Sequence, residues 1–290
     1  MAFIKTLWSD AIYTNLYEDK DLNMFFDRSL ESLARQGGNT ITLPTLATGA
    51  SMTRSDNQSV GSGLPRTPAD VSKSSMDLNI YEYSTDPIVI RNIDVVQGDK
   101  ALFNKSVAEV AQIIKEFMLT TIFTHLITNV DATHKAAFTG SSGAKFTYSD
   151  LKNMGKLLDA AKILGNNRFA MLSTDAKDNL LDDTAIQSYL AYNQTAIQEG
   201  KLPQLAGFQM ADSTLIPLTT GAGAIDANPL NNVKPNALVW RKEFVHLVVQ
   251  TEIEVVGGED ARYLGGVYAF STRFGTKLER AKAAAQRYQA

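Results

Sequence analysis

The chain predicts an α+β fold built for reaching neighbours rather than for enclosing a substrate. Three patterns carry this reading. Residues 106–128 form a long amphipathic helix, residues 37–90 carry strand alternation around a Gly-, Ser-, Thr- and Pro-rich stretch, and residues 237–274 return to β-rich sequence. The periods are 3.6 in the first case and close to 2 in the others, which separates helix from half-buried strand.

Residues 1–34 mix aromatic and acidic side chains: Trp8, Tyr13, Tyr17, Phe25 and Phe26 among Asp10, Glu18, Asp19, Asp21 and Asp27. Leu22 to Ala34 reads as a short helix. Large aromatic rings need burial, either in the chain's own core or against a partner, where such residues concentrate contact energy. Residues 37–46, GGNTITLPTL, enter a strand with Ile41, Leu43 and Leu46 spaced for one face. Pro44 removes a ladder donor and points to a sheet edge. Residues 47–75 have too few large apolar side chains for a core and read as a long surface loop. Alternation resumes at 76–90, so the unit reads as an elongated hairpin with a loose tip.

Ser106 and Glu109 fit a capping box at the start of the long helix, followed by Val107, Val110, Ile114, Phe117, Met118, Thr121, Ile122 and His125 at helical spacing. Residues 129–146 read as a loop. Thr147 and Asp150 form a second capping box, with Leu151, Met154, Leu157, Leu158 and Ala161 as the stripe and Gly165 as the stop. Arg168–Leu172 reads as a strand, Thr174–Leu181 and Ala185–Gln198 as helices, residues 207–218 as strands and 220–235 as a surface loop. Residues 237–256 are β-rich, Gly257-Gly258 reads as a break, residues 263–274 form another strand and Gly275 marks a turn. The tail, KLERAKAAAQRYQA, is rich in helix formers.

The chain has 290 residues, 44% of them hydrophobic, enough for a sizeable core. With 28 basic and 31 acidic residues the net charge is −3, which argues against strong nucleic-acid binding on bulk electrostatics. There is no cysteine, hence no disulfide framework, thiolate nucleophile or thiolate metal site. The start, MAFIKTLWSD, lacks a signal-peptide pattern, and no run of 18 uninterrupted apolar residues predicts a membrane span. His125, His134 and His246 belong to no HExxH arrangement, and a single Asp131 beside His134 falls short of a zinc set. The glycines form neither GxxxxGK[ST] nor GxGxxG. Asp182-Asp183 and Glu259-Asp260 read as solvated carboxylates. Nothing calls for a cofactor or a catalytic residue.

The order of these elements resembles the major capsid proteins of tailed phages with the HK97 fold. GNTITLPTL and LNIYEYS resemble the two strands of that family's extended loop, Ser106–Thr128 its spine helix, and YLGGVYAFSTRFGTKLERAKAAA its closing segment. The resemblance implies an N-terminal arm at 1–34, the extended loop at 35–92, a peripheral domain with the spine helix at 93–146, an axial domain at 147–236, and a return to the peripheral domain with the tail at 237–290. It implies a structural protein, not an enzyme, in hexamers and pentamers of an icosahedral shell around double-stranded DNA. The implied partners are a separate scaffolding protein, since no room precedes the arm-like segment, a portal protein, and packaged DNA in weak non-specific contact. No membrane is implied; the place is the virion, assembled in the host cytoplasm. Trp8, Tyr13, Tyr17, Phe25, Phe26, Arg54, Arg66 and Lys73 are the implied interface residues. Lys73 is not placed to predict a covalent crosslink between subunits. An encapsulin-like compartment shell is the alternative, followed by an α+β hydrolase or binding protein.

Overall fold

Two sheets share one long helix. The computed structural model describes residues 24–35, 38–48, 71–91, 100–140, 145–163, 165–190, 204–260, 262 and 265–290. In chain order the elements are α1 (Glu31–Ala34), β1 (Thr40–Thr48), β2 (Val71–Asn79), β3 (Tyr81–Ser84), β4 (Ile88–Arg91), α2 (Lys100–Asn129), β5 (Lys135–Ala137) and α3 (Tyr148–Ala160). They continue with β6 (Arg168–Leu172), α4 (Thr174–Leu181), α5 (Thr184–Leu190), β7 (Gln209–Asp212), β8 (Asn236–Arg241), β9 (Val245–Asp260), β10 (Gly265–Leu278) and β11 (Ala284–Tyr288).

The five-stranded sheet runs β5-β11-β8-β6-β7. Its three central strands, β11, β8 and β6, are buried on both faces, and the period of two sorts their side chains. Phe169, Met171, Leu238 and Trp240 join the core around α2. Ala170, Leu172, Ala237 and Val239 face the opposite way, into a second core with Leu151, Met154 and Leu158 of α3 and Leu180 of α4. The second sheet is built on β10, which pairs with β9 on one side and with β3 and β4 on the other. Val245 and Leu247 of β9 and Phe270 and Phe274 of β10 also enter the core around α2. This helix therefore ties both sheets together.

Helix α2 has 30 residues and spans about 45 Å at 1.5 Å per residue. It begins at Lys100, so Ser106 lies inside it and the expected capping box is not its start. The preceding Lys100–Lys105 stretch contains no Gly or Pro to stop the helix from extending. Val110, Ile114, Met118 and Ile122 are buried as the stripe requires, while Phe117 stays exposed. Glu109–Asn129 is long and apolar enough to cross a membrane, yet half of that stretch is buried within the chain. The helix C-terminus receives a cation from outside: Lys135 Nζ donates to the Ile127 carbonyl at 2.6 Å.

The capping box of α3 forms as read. Asp150, fully buried, accepts from the Thr147 N–H at 3.0 Å and from Thr139 N–H at 3.1 Å. Its C-terminus is not set by Gly165. Lys162 takes the left-handed conformation at φ 59°, and Ile163 N–H bonds back to the Leu158 carbonyl at 3.0 Å. The helix is thus closed before Gly165 is reached.

Other expectations give way to tertiary context. Leu22–Ala34 is not one helix: among the described residues Met24–Phe25 and Glu31–Ala34 are helical, and between them Asp27 is extended and bridges to His246. The 129–146 loop contributes β5 to the five-stranded sheet. Gly257-Gly258 does not break β9. A Cβ on Gly257, at φ 156°, would lie 2.1 Å from the Val267 carbonyl oxygen, so glycine permits the close pairing with β10. Gly275 is not a turn but a point within β10. The tail is no helix. Ala284–Tyr288 fills the slot between β5 and β8, where ladder hydrogen bonds outweigh a propensity difference of at most about 0.7 kcal/mol per residue. Its last strand therefore lies with residues 168–241, not with the strands of the second sheet. The Ala185–Gln198 reading is met by α5 as far as Leu190, and 191–203 lie outside the described residues. Of the strands expected in 207–218, β7 forms over four residues.

Candidate assembly interfaces

Strands β1 and β2 form a two-stranded ribbon in continuous antiparallel register from Thr40↔Asn79 to Thr48↔Val71. The outgoing strand runs two residues past Leu46, and the return strand starts at Val71 rather than 76. Tyr81–Ser84 leaves the ribbon for β10, so YEYS is not part of the return strand. Neither ribbon strand pairs with a third strand among the described residues. Pro44, opposite Ser75, sits on such an edge, as its missing donor requires.

Among the described side chains, those at the foot of the ribbon tie it to the body. Leu78 and Ile80 pack with Ala34, Val248, Leu30 and Ile41. Gln250 Nε2 reaches the carbonyls of Ala34 at 3.1 Å and Gly38 at 2.7 Å. Gly275 allows β10 to pass close underneath: a Cβ there would meet the Asn79 carbonyl oxygen at 2.4 Å and Leu78 Cδ2 at 2.8 Å.

Beside the foot lies an aromatic step open to solvent. Tyr83 packs on the buried Phe274 with ring centroids 4.5 Å apart and on Phe117 at 5.0 Å. Phe117 is 46% exposed and Tyr81 57%. Burial, then the neighbouring Tyr81, raise the Tyr83 pKa. A cleft of about 320 Å³ adjoins this step, lined by Asp77, Tyr81, Thr124, His125, Asn129 and Lys277 among others. His125 Nε2 accepts the Leu278 N–H at 3.3 Å, which requires that nitrogen to be unprotonated. Burial, then the charge of Lys277, lower its pKa.

The N-terminal segment enters the body at Phe25–Asp27. Phe26 is fully buried and stacks on Trp240 at 5.7 Å; Phe25 packs edge-on against Phe169 at 5.2 Å. Trp240 Nε1 donates to the Phe25 carbonyl at 3.0 Å. These two phenylalanines take the intramolecular alternative, and a ring enclosed by its own chain has no surface left for a neighbour. Asp27 then adds main-chain bonds on either side of His246, to Val245 and Leu247, both 2.9 Å. His246 lies between two carboxylates, with Nδ1 3.0 Å from Asp27 and Nε2 3.5 Å from Glu279. The first contact is close enough for an ion pair but misaligned for a hydrogen bond.

Of the other sequence-based interface residues, Lys73 lies in β2 opposite Leu46. Trp8, Tyr13, Tyr17, Arg54 and Arg66 lie outside the described residues. Phe117 and Tyr81 are the exposed aromatics that sequence reading did not select. Their helical and strand spacing marked them as core, and only the packing of β3 and α2 on β10 shows which face remains open. His134 is buried and its Nδ1 lies 3.1 Å from the Ala284 carbonyl, while Asp131 caps the turn before it through Thr133. Among the described residues no group of three or more His, Cys, Asp or Glu side chains could hold a metal ion.

Comparison with known proteins places this architecture. A family model described as phage capsid protein matches residues 94–260. The fold is similar to that of a protein of Mycobacterium phage Che8, with a TM-score of 0.65 and 16% identity over 95% of this chain and 90% of that one. It is similar to the capsid of cyanophage P-SCSP1u, with a TM-score of 0.61 and 17% identity over 88% and 84% of the two chains. The holo-SrpI encapsulin complex of Synechococcus elongatus also matches, at TM-score 0.54 and 12% identity over 86% and 82%. No curated protein sequence matches the chain. At such identities the structures establish a shared fold, which phage and encapsulin shells have in common; the family match at 94–260 selects between them.

Proposed function

The chain belongs to the phage capsid protein family, and on that premise we propose that it is a major capsid protein of HK97 type that builds an icosahedral shell from hexamers and pentamers around double-stranded DNA. The observation that carries the mechanism is the ribbon. A two-stranded hairpin is marginal in water by itself. Nine residue pairs of β1 and β2 nevertheless project from a foot packed on α1 and β9. Open edges of this kind are satisfied by another surface, and the ribbon is the extended loop that lies across a neighbouring subunit.

In this reading α2 is the spine helix of a peripheral part that includes the β9–β10 sheet, and the five-stranded sheet with α3 and α4 is the axial part. Cyclic contacts close the capsomers, and many weak contacts add up to a stable shell. A separate scaffolding protein guides assembly in the host cytoplasm, and a portal occupies one vertex. The near-neutral balance of 28 basic and 31 acidic residues suits weak, non-specific contact with the packaged DNA.

The ribbon also supplies the test. Thr48 and Val71 face each other, so replacing residues 49–70 with Asn-Gly closes the hairpin with a two-residue turn. The variant is expected to fold with an unchanged melting temperature but to give no closed particles in negative-stain images. Normal particles would remove residues 49–70, the far end of the extended loop, from the assembly mechanism. A wild-type chain that stays monomeric in light scattering even with its scaffolding partner would end the capsid reading altogether.

A further inference from the structure

The cleft at the root of the ribbon is walled by four elements: β2 brings Asp77, β3 brings Tyr81 and Tyr83, α2 brings Thr124, and β10 brings Lys277. Its volume of about 320 Å³ is at the lower end of the range for small-molecule sites. Lys277 supplies a cation with nothing to hold it. Arg273, four residues earlier on the same strand, is bound by Glu82 at 2.8 Å. The ammonium of Lys277 and the hydroxyl of Thr124 make no ion pair or hydrogen bond with any described residue. The charge of Lys277 is felt across the cleft at His125, where it adds to burial in lowering the pKa. His125 itself is turned away, its Nε2 accepting the Leu278 N–H at 3.3 Å. On the ribbon side, Asp77 accepts from Thr42 Oγ1 at 3.0 Å with one carboxylate oxygen, and its other oxygen has no partner among the described residues. Between these two charges stands an apolar wall. Tyr81, 57% exposed, meets Tyr83 edge-on at 6.5 Å, and Tyr83 is backed by Phe274 at 4.5 Å.

We propose that this cleft binds a small aromatic acid, its ring laid on Tyr81 and Tyr83, its carboxylate on Lys277 and Thr124, and a hydroxyl or amine at its far end donating to Asp77. Charge selects the class of ligand. The lining carries one free cation and one carboxylate. A polyanion would meet Asp77, and a simple cation would meet Lys277. A ligand with an acid at one end and a donor at the other satisfies both, and bonds to ionised groups are the strong ones. The exposed tyrosines select a flat ring, since aromatic faces and edges attract one another beyond the area they bury. An occupant touches β2, β3, α2 and β10 at once. Strand β2 belongs to the ribbon and the other three to the body, so a bound ring fastens the ribbon's root in addition to the Leu78 and Ile80 packing. The site is complete within one subunit and stands apart from the capsid reading.

The test titrates 6-hydroxy-2-naphthoate into the full chain and follows the fluorescence of the probe. Binding should be saturable, with one molecule per chain. 2-Naphthol, which lacks the carboxylate, should bind about tenfold more weakly, the size of one lost charge-assisted bond. Lys277→Met should lose the same factor of about ten for the acid and nothing for 2-naphthol, whereas Lys277→Arg should keep most of the acid's affinity. Tyr81→Ser should weaken both probes. Each of these variants should melt as wild type does, since Lys277 and Tyr81 are not buried. Limited proteolysis reads the ribbon: saturating acid should slow cleavage near residues 76–80 in wild type, and the same concentration should slow it less in Lys277→Met. Binding without saturation, equal affinity for the two probes, or an acid affinity unchanged in Lys277→Met overturns the site. Cleavage unchanged at saturation overturns the fastening of the ribbon's root. The capsid reading is untouched by any of these results.

Discussion

The five-stranded sheet and the β1–β2 ribbon are made of the same kind of backbone ladder, yet they complete it in opposite ways. In the sheet, β11 is paired on both sides, by β5 and β8, and Ala284, Ala285 and Gln286 are almost wholly buried. Apolar side chains above and below go to two separate cores. In the ribbon, each strand has one partner, and only Leu78 among its described side chains is buried. Strand β11 is completed within one subunit, whereas the ribbon, in the proposed reading, is completed by a neighbour. Stability of the subunit and competence to assemble are therefore written in different residues, and substitutions should separate them.

The largest effect on the isolated subunit is expected at Phe26, which fills the space between Trp240 and Phe123. Phe26→Ala should lower unfolding free energy by about 3–5 kcal/mol in urea denaturation; a loss below about 1 kcal/mol would show that residues 25–27 are not seated there. Next comes Gly275→Val, which forces a side chain against the Asn79 carbonyl and Leu78 where the ribbon meets the body. The expected cost is about 1–3 kcal/mol, with proteolysis beginning near residues 76–80 if the foot detaches. No increase in cleavage there would place the strain elsewhere.

A smaller, pH-dependent effect is expected from His125. Its pKa in the folded chain lies below the ordinary 6.5, since burial and Lys277 disfavour the charged ring. The unfolded ring then takes up a proton first as pH falls. Stability from the neutral ring is intact above 6.5 and erodes as pH drops from there toward the lower folded value. Melting curves across this range should show the loss, and His125→Gln should flatten it; an unchanged slope in that variant would assign the acid sensitivity to other groups. The smallest effect belongs to the ribbon. Thr42→Ala removes the 3.0 Å bond from Thr42 Oγ1 to Asp77, which is exposed. The subunit should change by no more than about 0.5 kcal/mol. A loss of several kcal/mol would contradict the contrast drawn between ribbon and sheet.

How much of this was legible in the sequence follows the same division. The α3 capping box, the buried stripe of α2 and the β6 strand are local patterns, and each formed. The ribbon was legible as alternation around Ile41 and Leu78, but its length was not, because Ala47–Thr48 and Ser72–Ser75 carry no large apolar side chain to mark a strand. The tail was misread for a nonlocal reason. AKAAAQRY favours helix when alone, and only the vacancy between β5 and β8, strands distant in sequence, makes it a strand. Lys162 shows a similar limit, since a lysine at φ 59° gives no compositional sign of a helix end. The candidate interfaces were the least legible part: which of the aromatic residues face out depends on how β3 and α2 pack on β10.

The hydrogen bond from Trp240 Nε1 to the Phe25 carbonyl gives the molecule an optical signal of its own. The chain contains two tryptophans, Trp8 and Trp240. With Trp8 replaced by phenylalanine, emission comes from one indole that is fully buried, stacked on Phe26 and bonded to the incoming segment. A shift to longer wavelength with quenching would mark the moment that Phe25–Asp27 leaves its seat, so the seating of the N-terminal segment can be followed in real time as subunits join, without a label.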